Sequence, residues 1–320
     1  MKPIIKYRGG KSKEIANIMW HIPRFTGRYI EPFFGGGALF FYLEPQRAII
    51  NDINGKLMDF YQSVRNDYAH LREELNEVER IYTDNRNSFD ALKAMHPNER
   101  VEDRNEMLYY EMRSMFNGHS PKRYSDALLY YYINKTAYSG MIRYNANGDF
   151  NVPFGRYKNL NTKIITQSHS DLLQRAEIYI GDYRRIFNLC NTDDFVFLDP
   201  PYDCTFSDYG NEEYRDGFDE ESHRQLAQDF YNLPCKTLMV IGRTPLTSEL
   251  YRGYIVDEYQ KNYAVNIRNR FKSVASHIVV VNYRKRWLVQ EVTGLYDLPI
   301  EEENNYLLFE AEAPYYGKTN

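Results

Sequence analysis

Asp199-Pro200-Pro201-Tyr202 directly follows the apolar run Phe195-Val196-Phe197-Leu198. Proline cannot continue a central ladder, so the run reads as a strand that stops here. Asp199 then lies at the carboxyl edge of a sheet, where open α/β folds bind ligands. The double proline makes a stiff corner that fixes a carboxylate and a main-chain carbonyl beside the flat face of Tyr202. Such a set can grip a planar amine by two hydrogen bonds while the ring that carries the amine stacks. An exocyclic amine is a poor nucleophile because its lone pair is delocalised. Two acceptors favour pyramidal nitrogen, and an anionic one stabilises the positive charge that develops on attack. The competing reading is a plain strand-terminating Asp-Pro turn.

A second segment carries complementary chemistry. Tyr29-Ile30-Glu31-Pro32 reads as a strand, Phe33-Phe34-Gly35-Gly36-Gly37 as a turn, and Ala38–Leu43 as a helix stopped by Pro45. Glycines let the chain turn tightly and let a ligand approach the main chain without a Cβ in the way. The helix start adds N–H groups that favour an anionic ligand group such as a carboxylate. A tight connection with no ligand is the alternative, and the spacing is a poor match to a dinucleotide fingerprint. Asp52 closes the next apolar run, Ala48-Ile49-Ile50-Asn51. There it can accept both hydrogen bonds of a ribose hydroxyl pair, or it can cap a helix starting near Asn54-Gly55. Together the two segments point to a ribose-containing cofactor and leave its identity open.

These groups need a sheet to hold them. Seven β-rich runs stand out: Tyr29–Pro32, Ala48–Asn51, Glu177–Gly181, Phe195–Leu198, Thr237–Ile241, Tyr254–Tyr259 and His277–Tyr283. Helical patterns at Ala38–Leu43 and Asp219–Tyr231 separate some of them, which predicts βαβ units and a mostly parallel sheet. After the second run the pattern changes. Leu57, Phe60, Tyr61, Val64, Tyr68, Leu71, Leu75 and Val78 recur at helical spacing, followed by helical Met107–Phe116 and Ala127–Asn134. In Ile142–Val152, Asn147-Gly148 signals a type I′ hairpin turn. The predicted organisation is a discontinuous α/β domain, residues 1–57 and 174–299, interrupted at 58–173 by a mostly helical insert with a β-hairpin. An acidic tail follows at 300–320.

The 320 residues are 43% hydrophobic and 26% charged, with a net charge of −4, which excludes wholesale disorder, collagen and a disulfide miniprotein. No apolar run is long enough to predict a transmembrane helix and the N-terminus shows no signal peptide, so a cytoplasmic location is expected. Three cysteines, Cys190, Cys204 and Cys235, lack metal-like spacing, which argues for a reducing compartment and against a zinc site. Net charge does not advertise nucleic-acid binding, but local charge does. Met1–Lys13 holds five basic residues and no acid, and Lys261–Arg286 holds seven and no acid. Either run alone reads equally as a solvated face; two of them in an acidic chain point to a polyanion surface.

Taken in order, Lys6-Tyr7-Arg8-Gly9-Gly10-Lys11, Glu31-Pro32-Phe33-Phe34-Gly35-Gly36-Gly37, Asn51-Asp52, the insert and Asp199-Pro200-Pro201-Tyr202 resemble the Dam-type DNA adenine-N6 methyltransferases of the alpha group. In that family a target-recognition domain interrupts the catalytic domain. The resemblance covers Pro3 to Arg284. It implies a Rossmann-like class I methyltransferase sheet with helices on both faces, S-adenosyl-L-methionine as methyl donor, no metal, and double-stranded DNA as substrate. It further implies that Tyr7 and Lys11 line the donor and target-base pocket. Phe33, Gly35 and Gly37 would hold the donor's methionine end, Asp52 its ribose and Asp182 its adenine amine. Asp199, Pro200 and Tyr202 would hold the flipped adenine, with Asp199 also facing the donor. The block from Arg143-Tyr144-Asn145 to Phe154-Gly155 is similar to that family's DNA-contacting hairpin. Two segments depart from the pattern, Tyr138-Ser139-Gly140 and Gly242-Arg243-Thr244, so the expected target is GATC or a related short site.

The insert then has a purpose, because a base inside a duplex must be flipped out before it can react. Expected DNA contacts are Tyr138, Arg143, Asn145, Pro153, Arg156 and Lys158 in the insert, and Arg268, Arg270 and Lys272 in the second basic segment. Arg143 is the expected base reader, since Arg pairs bidentately with guanine; the second segment is expected to grip phosphates. For Tyr138, Tyr144, Phe150, Phe154 and Tyr157 the alternative is the core of a small subdomain. Rival activities are cytosine-N4 methylation, glutamine methylation at a related Asn-Pro-Pro-Tyr corner, hydride transfer with a nicotinamide cofactor, and silent DNA binding. The remaining expectations are a monomer and, as partner, a cognate restriction endonuclease acting separately.

Overall fold

The computed structural model describes residues 1–7, 9–140, 142–202, 218–262 and 274–283. Arg268, Arg270, Lys272 and the acidic tail lie outside the described residues. All seven expected runs are strands of one sheet: β1 (Tyr29–Glu31), β2 (Ala48–Asp52), β3 (Ala176–Ile180), β4 (Phe195–Leu198), β5 (Lys236–Gly242), β6 (Ile255–Asn262) and β7 (Val274–Val281). Their spatial order is β3-β2-β1-β4-β5-β7-β6. The first five pair in parallel, and β7 runs antiparallel to both β5 and β6. The order reverses between β1 and β4. That makes a crevice beyond their carboxyl ends, at Glu31-Pro32 and Asp199-Pro200.

Side-chain alternation along the strands divides the core in two. Tyr29, Ile50, Phe195, Phe197, Leu238 and Val240 face one way, into a core shared with Ile18 of α1 (Ile15–Ile18), Leu39 and Phe40 of α2 (Ala38–Leu43) and Leu57, Phe60 and Tyr61 of α3 (Gly55–Asn66). Ile30, Ile49, Val196, Leu198, Met239 and Ile241 face the other. There they meet Ile186, in the short helix Arg184–Phe187, and Leu226 and Phe230, in the helix Glu220–Asn232. Helices thus cover both faces, which is the Rossmann-like arrangement.

The insert shares the first of these cores. Leu71, Leu75, Val78 and Tyr82 of α4 (Tyr68–Met95), Tyr109, Met112 and Met115 of α5 (Arg104–Phe116), and Leu128 to Ile133 of α6 (Asp126–Thr136) continue it without a break. The single periodic stretch from Leu57 to Val78 becomes two helices, because Asp67 leaves helical geometry at φ −139°, ψ 41°. Asn134 ties α6 to the N-terminal segment: its side chain accepts the Lys6 N–H at 2.8 Å and donates to the Lys6 carbonyl at 2.7 Å.

The hairpin departs from the expected form. Its ladder is two isolated bridges, Ala137 with Phe154 and Tyr144 with Phe150. Gly148 is left-handed at φ 85°, whereas Asn147 is not among the residues with positive φ. A type I′ turn needs both. Instead the Asn145 side chain accepts the N–H groups of Asn147 and Asp149, and its carbonyl accepts that of Gly148. The result is the longer loop closed by a left-handed glycine.

At the opposite end of the sheet Asp194 fastens β1 to β4. It accepts the Arg28 main-chain N–H at 2.7 Å, the Arg28 guanidinium Nη2 at 2.7 Å and the Asn191 N–H at 2.9 Å. Burial opposes its ionisation, but the bonds from Arg28 outweigh that and hold the carboxyl below the usual carboxylate range. Asp194→Ala is expected to cost about 2–4 kcal/mol in urea unfolding at neutral pH. A depressed native pKa contributes stability above the ordinary value and loses it as pH falls through the native one, so wild type and variant converge in acid. A neutral-pH loss under about 0.5 kcal/mol would contradict this role.

Candidate active site

An open cleft of about 830 Å³, counted out to its mouth, lies where the strand order reverses. Its walls come from the N-terminal segment (Tyr7, Lys11), the end of β1 and its turn (Glu31 to Gly37), the end of β2 (Asp52, Ile53), Gly181 and Tyr183 after β3, and Asp199 to Tyr202 after β4. Every catalytic residue expected from the sequence lines it, and so do all the expected cofactor residues except Asp182. The Asp182 carboxylate turns to the Arg184 guanidinium at 2.7 Å and is held below its usual pKa chiefly by that bond. Asp182 therefore sits at the rim while Gly181 and Tyr183 face inward.

Lys11 is almost fully buried, and its ammonium pairs with Asp199 Oδ1. The same Nζ donates to the Gly9 carbonyl at 3.3 Å and lies 4.9 Å from the centre of the Tyr202 ring. Burial pushes the Asp199 carboxyl above its ordinary pKa against the pull of Lys11. Beneath them Glu31 is buried, accepts the Tyr29 hydroxyl at 2.8 Å, and is raised well above the carboxylate range by desolvation and by nearby Asp199. The corner thus combines a fixed acceptor, an ammonium and an aromatic face within one cavity.

The glycine turn is shaped as much by packing as by any ligand. Gly35 (φ 47°) and Gly37 (φ 62°) are left-handed. A Cβ on Gly35 would lie 2.7 Å from the Tyr7 ring, and one on Gly37 would lie 2.4 Å from the Phe34 ring. Asp52 braces the turn: Oδ2 accepts the Gly35 N–H at 2.8 Å and Oδ1 accepts the Asn54 N–H at 3.0 Å. The cap of α3 is Asn54, which accepts the Leu57 N–H, so Asp52 is not the cap. Phe33 and Tyr183 stand 5.1 Å apart on the same side of the cleft.

In the insert, burial sorts the aromatic residues. Phe150 and Phe154 are core, whereas Tyr138 is 48% exposed. Tyr144 is half-buried beneath Lys56, whose ammonium lies 4.9 Å from its ring, and Tyr157 lies beneath Lys6 at 4.1 Å. Arg143 is exposed and donates through Nε to Asn151 at 2.8 Å. Asn145 organises the hairpin turn, and the Pro153 carbonyl accepts the Tyr138 N–H. Arg156 is exposed, left-handed at φ 54° and 3.4 Å from Glu106, and Lys158 is exposed. Tyr138, Arg143, Arg156 and Lys158 are therefore available to a large ligand.

Sequence reading missed Glu14 and His277. Glu14 Oε2 accepts from His277 Nδ1 at 2.6 Å and from the Tyr259 hydroxyl at 2.8 Å, and Oε1 pairs with Lys261. Desolvation opposes its ionisation, but these bonds and the charge of Lys11 bring its pKa down to about 2. The available signal was a histidine inside an otherwise apolar strand.

The family described as D12 class N6 adenine-specific DNA methyltransferase matches residues 7–267. The type II methyltransferase M.CviBI of Paramecium bursaria Chlorella virus NC1A is 38% identical over 291 residues, covering 88% of this chain and 100% of the relative. The type II methyltransferase M.MjaIII of Methanocaldococcus jannaschii is 30% identical over 311 residues, with 88% and 99% covered. The DNA adenine methylase of Haemophilus influenzae is 26% identical over 263 residues, with 79% and 83% covered.

The geometry of the turn gives a direct test. Gly37→Ala is expected to destabilise the protein by about 1–3 kcal/mol, from the left-handed backbone and the Phe34 contact together. Chemical unfolding measures it, and an unchanged midpoint would contradict the placement of Phe34.

Proposed function

The chain belongs to the D12 class of N6 adenine-specific DNA methyltransferases, and we propose that it acts on an adenine flipped out of duplex DNA, within one short site such as GATC, with S-adenosyl-L-methionine as donor. The observation that carries this reading is the single cleft joining Asp52, the glycine turn and the Asp199–Tyr202 corner. Its walls offer aromatic faces, a carboxylate at a strand end and exposed main chain. These fit a nucleoside that carries an amino acid. Phe33, Gly35 and Gly37 would hold the methionine end, Asp52 the ribose, and Asp182 at the rim the adenine amine, with Tyr7, Lys11 and Asp199 where donor and target meet. Bound there, the donor supplies a methyl group activated by a positively charged sulfur.

The chain's own residues prepare the amine. Asp199 and the Pro200 carbonyl accept its two N–H bonds, which frees the nitrogen lone pair for in-line attack. Tyr202 stacks on the base and fixes its plane. Lys11 orients the Asp199 carboxylate. As charge develops on nitrogen, that carboxylate stabilises it in a desolvated site where such an interaction is strong. The cationic nitrogen then releases its proton readily.

DNA is engaged by the insert. Extrusion of a base takes a few kcal/mol, and exposed Tyr138 can fill the space the base leaves. Arg143, with Asn145 and Pro153 shaping its hairpin, reads base edges, while Arg156 and Lys158 grip phosphates, as would Arg268, Arg270 and Lys272. In this division residues 1–57 and 174–299 bind donor and target base, and 58–173 recognise DNA, with α3 bridging the two. Among the described residues no helix is long and apolar enough to cross a membrane. We place the enzyme with DNA in the cytoplasm, as a monomer. Two of the relatives named above are type II methyltransferases, which supports pairing with a separate restriction endonuclease.

Asp199→Ala is expected to reduce methyl transfer to DNA by about a thousandfold or more. Donor affinity, read by calorimetry, should fall far less, by about tenfold at most, because the hydrogen bonds of Asp52 that brace the glycine turn do not involve Asp199. Methylation that persists at a tenth of the wild-type rate or more (roughly, on the scale of such losses) would remove Asp199 from its role.

A further inference from the structure

We infer that Glu14 and His277 are positioning residues for Tyr202: Glu14 fixes the His277 ring, and that ring fixes the plane against which the target base stacks. The inference rests on the reading above, in which Tyr202 is the stacking face. Among the described residues, Lys11, Gly242 and His277 lie close to the Tyr202 ring. The Lys11 ammonium lies 4.9 Å from its ring centre. Gly242, at the end of β5, lies against the ring, where a Cβ would make ordinary van der Waals contact at 3.5 Å. The His277 ring meets it edge to face, with centroids 5.0 Å apart and planes at 82°.

His277 is fully buried in β7, beside Ile278, Val279, Val280 and Val281. Its Nδ1 lies 2.6 Å from Glu14 Oε2 and 3.5 Å from the Tyr202 hydroxyl. Glu14, with its pKa at about 2, is a carboxylate at neutral pH and can only accept. Nδ1 must therefore carry the hydrogen and donate it to Glu14, which fixes both tautomer and ring orientation. The contact to Tyr202 is then ring packing, because that nitrogen has no lone pair left to accept the phenol. Tyr259 closes the arrangement from the other side, with its ring 5.7 Å from His277 and its hydroxyl on Glu14.

Stability alone does not account for this set. A buried ionic cluster is weak evidence for stability, since a well-packed apolar set often holds strands equally well. Its geometry does have a consequence for the site. Lys11 and Glu14 lie three positions apart at the N-terminus, and each reaches across to the corner, Lys11 directly onto Asp199 and Glu14 through His277 onto Tyr202. One segment therefore sets both the acceptor and the stacking face. Among the described residues, the charged groups facing Glu14 and His277 are Lys11, Lys261 and, beyond Lys11, Asp199.

The test compares Glu14→Gln, His277→Leu, His277→Asn and the double variant Glu14→Gln/His277→Leu on the full chain. Single-turnover methyl transfer from S-adenosyl-L-methionine to unmethylated genomic DNA is normalised to donor-binding sites, and thermal midpoints are recorded. Glu14→Gln and His277→Leu should each slow transfer about tenfold to a hundredfold, with donor affinity within about twofold. The double variant should be no slower than His277→Leu, because the two act in series. His277→Asn should recover part of the rate, since its amide can donate to Glu14 in place of Nδ1. If His277→Leu does not fold, Glu14→Gln and His277→Asn carry the comparison. Lower midpoints with unchanged transfer per donor-binding site, or independent losses that multiply in the double variant, would overturn the inference. Failure of wild type itself to methylate adenine would instead count against the reading of the function.

Discussion

The Lys11 ammonium against the Asp199 carboxylate, at the one place where the sheet reverses its strand order, is the contact on which the rest of the site depends. Desolvation disfavours both charges, and only their pairing makes the arrangement tolerable. That pairing draws the N-terminal segment across the carboxyl ends of β1 and β4. Tyr7, carried by the same segment, is packed onto Gly35 and Gly36, which explains why the turn after β1 has no side chains there. Asp52 then braces the turn through the Gly35 N–H. The glycine turn and the Asp199 corner are thus two ends of one packed unit.

The insert is joined to this unit by a continuous apolar core, and by the paired hydrogen bonds of Asn134 with Lys6. A rigid link is what the proposed chemistry needs. An enzyme that reads DNA through one segment and reacts with a base in another must hold the two in register, or the flipped base misses the corner. Buried Phe150 and Phe154 stiffen the hairpin from within, which leaves Tyr138 and Arg143 to present outward.

Much of this was legible in the sequence, for identifiable reasons. β2, β4 and β5 are buried on both faces and read as apolar runs, whereas β3 and β6 are partly exposed and were legible through their β-branched and aromatic residues; all seven lie within a few residues of the expected bounds. The Asp199 corner was legible because proline cannot continue a ladder. Other features depend on which face a residue presents, which a linear pattern does not encode. Phe150 and Tyr138 look alike in sequence and differ in burial. Asp182 lies at the rim of the cleft with its carboxylate on Arg184, a pairing between neighbours that is invisible until the loop is folded. The Asn147-Gly148 turn was misread because the Asn145 side chain organises a longer loop. Glu14 and His277, 263 positions apart, meet only because β7 lies beside β5.

The proposed activity of this corner is delivery of a methyl group to adenine N6 in duplex DNA at one short site. The most direct measurement is incubation of the purified protein with S-adenosyl-L-methionine and unmethylated genomic DNA, followed by single-molecule sequencing for modified bases. The expected product is N6-methyladenine confined to one short motif. N4-methylcytosine, or bound DNA that carries no modification, would contradict it.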